Sequence, residues 1–323
     1  MTASTGSSAL VGLLETMEED LAIRLIPAGM TLMLLQVSKT MRSAMQRVSP
    51  PAMIKVKRGH QPESLKNAML NMMKWCRITA IDLFNAHIQD DGVGRLAAVL
   101  GQCACLARLN LSANKFGDEG AGRLATVLGQ CASLAHLDLR WNWIGVEGAG
   151  RLAAVLGQCA SLVHLDLRNN RIEAEGAWRL AAVLGQCASL SHLDLGVNGI
   201  EAEGARRLAA VLGQCASLAH LDLGYNEIGA EGASSLAAVL GQCAALAHLD
   251  LQGNGIGADG AGRLAAGLEQ CVSLAHLNLD FNEIGDEGAV RLAAGLALPL
   301  LLFAVRVPYV IKGTPRSQMT LTD

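Results

Sequence analysis

Aromatic residues are scarce. Trp, Tyr and Phe make up 3% of 323 residues, against 51% apolar residues in all. A large core is therefore expected, built from Leu, Ala and Val rather than from rings. Basic excess is missing too. The formal net charge is −3 and no basic stripe carries interleaved aromatics, so nothing electrostatic argues for nucleic acid. Long apolar runs are missing as well. The stretch "LALPLLLFAV" (296–305) is too short to span a bilayer, and Arg306 follows it. The opening "MTASTGSSALVGLLETMEEDLA" has no basic start, and acids interrupt its apolar part, so neither a signal peptide nor a membrane partner is expected. The nine Cys are an odd number, with no CxxC and no Cys/His zinc spacing. Reduced thiols in the cytoplasm, or in the nucleus, are the expectation.

What is present is a period. Asn114, Asn142, Asn170, Asn198, Asn226, Asn254 and Asn282 stand 28 residues apart, and so do Cys103, Cys131, Cys159, Cys187, Cys215, Cys243 and Cys271. Within one unit, "LAHLDL" alternates apolar and polar residues as a strand does. "EGAGRLATVLGQC" (119–131) spaces Ala121, Leu124, Ala125 and Leu128 as a helix does. Such a unit cannot bury its apolar side alone, so units must stack. Strands then pair in a parallel sheet and helices form the outer layer.

The stretch "LAHLDLRWNWI" (134–144), continued by "GVEGAGRLAAVL", resembles the leucine-rich repeat pattern LxxLxLxxNxI. The 28-residue length resembles the ribonuclease-inhibitor-like subtype, found also in NOD-like receptors and Ran GTPase-activating proteins. The resemblance implies an α/β leucine-rich repeat solenoid. It is a curved horseshoe with the parallel sheet on the concave face, helices on the convex face and a small helical N-terminal region. The expected boundaries are an N-terminal region with linker (1–61), a capping helix (62–78), the repeats (79–298) and a C-terminal cap and tail (299–323). In that cap, "LLFAVRVPYV" (301–310) keeps Leu302, Val305 and Val307 and reads as a degenerate last strand, closed by Pro308.

Repetition turns each position into a column. The Asn column is expected to turn its amides inward onto unpaired backbone groups. The Cys column reads as small buried hydrophobes. On the helices, acids at 91, 119, 147, 175, 203, 259 and 287 each precede an Arg by four residues, the favourable order for exposed pairs. Glu231 has Ser235 where the Arg would stand and is expected to lack a partner.

The strand columns raise the chemical question. Strand alternation turns His136, His164, His192 and His220 to the concave side, beside Asp138, Asp166, Asp194 and Asp222. His with Asp offers metal ligands and acid–base pairs. Yet a uniform ladder singles out no position, and no nucleophile stands beside one special His. No catalytic residue, metal or cofactor is expected. The ladder is read instead as an acidic docking strip for a basic segment, in which neighbouring carboxylates raise the imidazole pKa and make docking pH-dependent.

Specificity in a repeat scaffold lies where copies differ. Arg140, Trp141, Trp143, Arg168 and Arg171 fall on two adjacent units, with Tyr225 further along, and these residue types are enriched at binding hot spots. A protein partner bound by this surface and the ladder is the expected function, without enzymatic activity. Two narrower readings accompany it. Residues 14–45, ending "LLQVSKTMRSAM", resemble an F-box, which implies contact with a ubiquitin-ligase adaptor and a substrate-receptor role. The repeats also resemble those of Ran-type GTPase regulators, without an acidic C-terminal tail.

Overall fold

A computed structural model describes residues 24–25, 51–55, 77–295 and 305–306, with side chains from Ile78 to Ala294. Strands β1 (Arg24–Leu25), β2 (Pro51–Lys55) and β3 (Arg77–Asp82) open the sheet. Helix α1 (Gln89–Leu100) follows, and strand and helix then alternate. The order is β4 (Arg108–Asn110), α2 (Asp118–Leu128), β5 (His136–Asp138), α3 (Val146–Leu156), β6 (His164–Asp166), α4 (Glu173–Leu184) and β7 (His192–Asp194). It continues through α5 (Glu201–Leu212), β8 (His220–Asp222), α6 (Gly229–Leu240), β9 (His248–Asp250), α7 (Gly257–Leu268), β10 (His276–Asn278), α8 (Gly285–Gly295) and β11 (Val305–Arg306).

The strands lie side by side in chain order. β1 pairs antiparallel with β2, and every later pair is parallel. The register repeats the 28-residue step: His192 stands opposite His220, Leu193 opposite Leu221 and Asp194 opposite Asp222. The degenerate last strand keeps this register, with Val305 opposite Leu277.

Three expectations meet the structure at the N-terminal side. The F-box-like segment 14–45 and the capping helix 62–78 lie almost wholly outside the described residues. Of residues 1–61, expected as a helical region and linker, those described are strands. Residues 51–55, read as part of a linker, extend the sheet instead, pairing with β3. Arg77 and Ile78, placed at the end of the capping helix, already belong to β3.

The core runs between sheet and helices and contains the expected Leu, Ile, Ala and Cys; Phe116 is the one described aromatic within it. Strands stack at about 4.8 Å whereas helices need about 10 Å. The stack therefore bends with the sheet inside, and the strand side chains that point away from the core share a concave face.

The Asn column binds the turns together. Asn198 donates through Nδ2 to the carbonyls of Leu167 (3.0 Å), Leu195 (2.9 Å) and Gly196 (3.1 Å). Its Oδ1 accepts from the backbone N–H of Asn170 (2.9 Å) and Ile172 (3.3 Å) in the preceding unit. The amides turn inward as expected. The eight described thiols are free, and most are buried. Each of Cys131, Cys187 and Cys243 directs Sγ at the carbonyl four residues earlier. Burial pushes the Cys159 and Cys243 thiols up to about 11, so these are unreactive packing groups.

Candidate functional site

Six imidazoles stand in one row across β5 to β10. Centroids are 4.2 Å apart for His164 and His192, 4.0 Å for His220 and His248, and 4.2 Å for His248 and His276, with the planes within 15°. The steps from His136 to His164 (5.7 Å) and from His192 to His220 (5.2 Å) are tilted. Parallel rings point their nitrogens the same way, so neighbours do not converge on one ion. Among the described residues no three of His, Cys, Asp and Glu are grouped to hold a metal.

The titration of the row corrects the sequence reading. The carboxylates do not draw protons onto the imidazoles. Burial, followed by repulsion from His164 and His220, lowers His192 to about 4, against a weak upward pull from Asp166. Burial likewise lowers His136, His164 and His248. The acids move the opposite way. Burial, then Asp222 and Asp166, raises Asp194 to about 7, and burial with Asp166 raises Asp138 to about 6. His136, His164, His192 and His248 and the acids Asp138, Asp166, Asp194 and Asp222 all shift toward their neutral forms, which lowers the charge of this part of the strip.

The Asp column also has a structural duty. In every unit the Oδ1 at this position accepts the backbone N–H two residues on, where the chain leaves the strand. The distances are 3.2 Å for Asp138 to Arg140, 3.0 Å for Asp166 to Arg168, and 2.8 Å for Asp194 to Gly196 and for Asp222 to Gly224. Asn110 and Asn278 make the same bond, at 3.0 Å each. The column needs an oxygen, not a charge. Asn110 and Asn278 also donate to Asp82 (3.1 Å) and Asp250 (2.9 Å), closing the row at each end.

Arg140 and Arg168 do not project freely toward a partner. Arg140 lies between Asp138 (3.2 Å) and Asp166 (3.5 Å). Arg168 reaches Asp194 (3.8 Å) and, one unit further, Asp222 (2.7 Å). It crosses above Gly196, where a Cβ would stand 2.5 Å from Nη1. The two guanidiniums offset four adjacent carboxylates in a half-buried strip. Beyond them a shallow groove continues over His192, His220, His248 and His276 with Asp194, Asp222 and Asp250 at its floor.

A pH-dependent stability follows. An acid whose folded pKa lies above its unfolded value, about 3.9, contributes stability that is complete below that value and lost as pH rises through the folded one. For Asp194 this loss extends to about pH 7. His192 runs oppositely: its contribution is complete above its unfolded value and lost as pH falls toward 4. Asp194→Asn keeps the turn bond and removes the buried charge. Its stabilisation, read by urea unfolding, is expected to be larger at pH 8 than at pH 5 by roughly 1–3 kcal/mol. Equal effects at both pH values contradict the shift.

At the ends of the strands the turns form a rim. Trp141, Tyr225 and Phe281 occupy one column, all with φ of 57°. A left-handed backbone is unfavourable for such side chains, and the same column uses Gly253. Trp141 (55%), Trp143 (52%), Tyr225 (43%) and Phe281 (68%) are nevertheless exposed. Backbone bonds hold the rim in register, from Trp141 N–H to Arg168 (2.8 Å), Asn169 to Gly196 (2.8 Å) and Val197 to Gly224 (2.8 Å). Trp143 and Arg171 share the next column on adjacent units, both exposed. The rim residues missed by the hot-spot reading are Lys115, Glu227 and Phe281. Their signal was the same column variability, read too narrowly around the Trp pair.

The convex face carries ion pairs within and between helices. Arg179 meets Glu175 (3.2 Å) and Glu147 of the preceding unit (2.9 Å). Glu231 is not partnerless, because Arg263 of the next helix reaches it at 3.0 Å. These pairs are exposed and each contributes little, about 0–1 kcal/mol.

A parallel sheet with one helix after each strand from β3 to β10, and one buried Asn in each turn from β4 to β10, define an α/β solenoid of stacked repeats. Comparison with known families identifies the repeat. Leucine Rich repeat matches fall on residues 102–125, 130–153, 158–181, 186–209, 214–237, 242–265 and 270–293. The chain belongs to the leucine-rich repeat family. No curated protein matches it. Among the described residues no helix is long and apolar enough to cross a membrane.

Proposed function

We propose that the protein is a non-enzymatic scaffold whose concave groove and adjoining rim bind protein across several units. One observation carries this. Five of the seven described aromatics, Phe84, Trp141, Trp143, Tyr225 and Phe281, are exposed at strand ends and turns in a chain that has few, and three of them hold left-handed turn positions. Surface aromatics on a backbone already fixed by hydrogen bonds bind with little ordering cost. Buried thiols without disulfides support a reducing compartment, cytoplasm or nucleus. Nucleic acid is disfavoured because Arg140 and Arg168 are engaged by carboxylates.

The test is Trp141→Ala with Trp143→Ala. Loss of both anchors is expected to weaken protein binding at least about 30-fold, or some 2 kcal/mol, without changing the fold. Unchanged binding of every partner, including self-association, removes the rim from the account.

The adaptor-binding role of residues 14–45 rests on their sequence; deletion of residues 1–61 should abolish capture of a ubiquitin-ligase adaptor if it holds. A Ran-type regulatory role predicts faster GTP hydrolysis by a cognate GTPase, and no acceleration across candidates removes it.

A further inference from the structure

The rim has a symmetry that its repeats do not require. The column that contains Trp143 begins at His87 and continues as Lys115, Trp143, Arg171, Gly199, Glu227, Gly255 and Glu283, the last seven being centred on Gly199. Charges segregate along it: cations before Gly199, acids after it. None of Lys115, Arg171, Glu227 and Glu283 forms an ion pair with another described residue. Counted outward from Gly199, Arg171 is matched by Glu227, Trp143 by Gly255 and Lys115 by Glu283. The neighbouring column begins at Asn85 and continues as Ala113, Trp141, Asn169, Val197, Tyr225, Gly253 and Phe281, the last seven being centred on Val197. Outward from Val197, Asn169 is matched by Tyr225, Trp141 by Gly253 and Ala113 by Phe281. Basic thus faces acidic in the first column, and Trp faces Gly in both, about the same unit. The space exists: a Cβ at Gly199 or Gly255 would meet nothing within 4 Å. At Gly253 the Tyr225 ring of the same chain already leans over the backbone, so the open space is at Gly255.

We propose that this rim pairs with a second copy of the chain about a two-fold axis passing by Val197 and Gly199. A two-fold reverses the order of units, which brings each residue opposite its counterpart on the other copy. Arg171 then meets Glu227 twice, Lys115 meets Glu283 twice, and each Trp143 lies over the open backbone at Gly255. Six strand spacings of about 4.8 Å give a contact roughly 29 Å long, the span of an ordinary protein interface. The pairing rests on the reading of the rim as a contact surface and leaves the concave groove free for another protein.

The test is the mass of the full chain in solution, by sedimentation or light scattering across a dilution series. A dimer is expected. Arg171→Glu and Glu227→Arg should each weaken it about 100-fold, since each breaks two symmetric pairs at about tenfold apiece. The double variant should restore it. A second swap, Lys115→Glu with Glu283→Lys, repeats the test at the outer units. A monomer at every concentration, a dimer indifferent to Arg171→Glu, or a double variant that stays monomeric overturns the proposal. A monomeric chain that still loses another protein through Trp141→Ala and Trp143→Ala overturns the dimer and leaves the functional reading intact. Rescue by charge swap supports the dimer even where no other protein binds.

Discussion

Asn198→Ala is expected to lower the unfolding free energy by about 4 kcal/mol or more. The side chain is buried and makes five hydrogen bonds, donating to three carbonyls and accepting from two N–H groups. Alanine leaves all five backbone groups without that partner, and a buried polar group left unpaired costs about 1–3 kcal/mol. Water relieves part of this, which keeps the sum below the arithmetic total. Asn198→Asp does not rescue, because it retains the acceptor but loses both N–H donors and buries a charge. Because units contact only their neighbours, hydrogen exchange should rise first around β6 to β8. Urea unfolding gives the magnitude. A change below about 1 kcal/mol contradicts the assigned role of the column.

Gly204→Val is the second large effect, expected at about 3 kcal/mol or more. Gly204 lies in the first turn of α5, where that helix packs closest on α4. A Cβ there would stand 2.5 Å from Ile200 Cγ2, 3.1 Å from Ala174 Cα and 3.3 Å from Ala177 Cβ. The Ile200 methyl can rotate, but Ala174 is backbone and cannot retreat without separating the helices. Gly204→Ala gains about 1 kcal/mol of helix propensity against part of the clash and should be much milder. Valine adds two methyls at this close inter-unit contact. Thermal unfolding of the two variants separates the cases: similar midpoints contradict close packing at this glycine.

The fold was legible because every signal repeats. The 28-residue step, the strand alternation and the Asn column gave the parallel register, even for the last strand, where Val305 sits opposite Leu277 as the spacing requires. The bonds made by the polar strand residues, and how far the His and Asp rows are buried, were not legible. The Asp column looked like a charged strip because the sequence shows residue type and hides the bond each Oδ1 makes. Asn110 and Asn278 in that column were the available clue, since they keep the oxygen and drop the charge. The His row was expected to hold protons beside the acids. Desolvation reverses that balance, and its strength depends on neighbours one unit away. Arg140 and Arg168 read as free anchors until their reach along the sheet, across Gly196, was seen.

One local difference between units shows how small changes act in a repeat. Asp90 Oδ1 accepts from Gly117 (2.9 Å) and Gly120 (2.7 Å) of the next unit, and Asp118 Oδ1 accepts from Gly145 (3.0 Å) and Gly148 (2.5 Å). These acids satisfy donors at the start of α2 and α3, whose own caps contribute no side-chain bond. Helices α4 to α8 receive no such acid, because the units before them have Val146, Ala174, Ala202, Ala230 and Ala258, and they begin one residue earlier through a left-handed Glu or Gly. The Trp143 turn therefore differs from its neighbours, which gives the rim a distinct shape at the unit with two exposed Trp.

The most direct test of the scaffold account is site-specific photo-cross-linking in the full chain. A photoreactive residue is placed in turn at His220 in the groove, at Trp143 on the rim and at Trp178 on the convex face. The account predicts protein adducts from the first two positions and none that is specific from Trp178. Specific adducts from Trp178 alone would move the binding surface to the helices and contradict it.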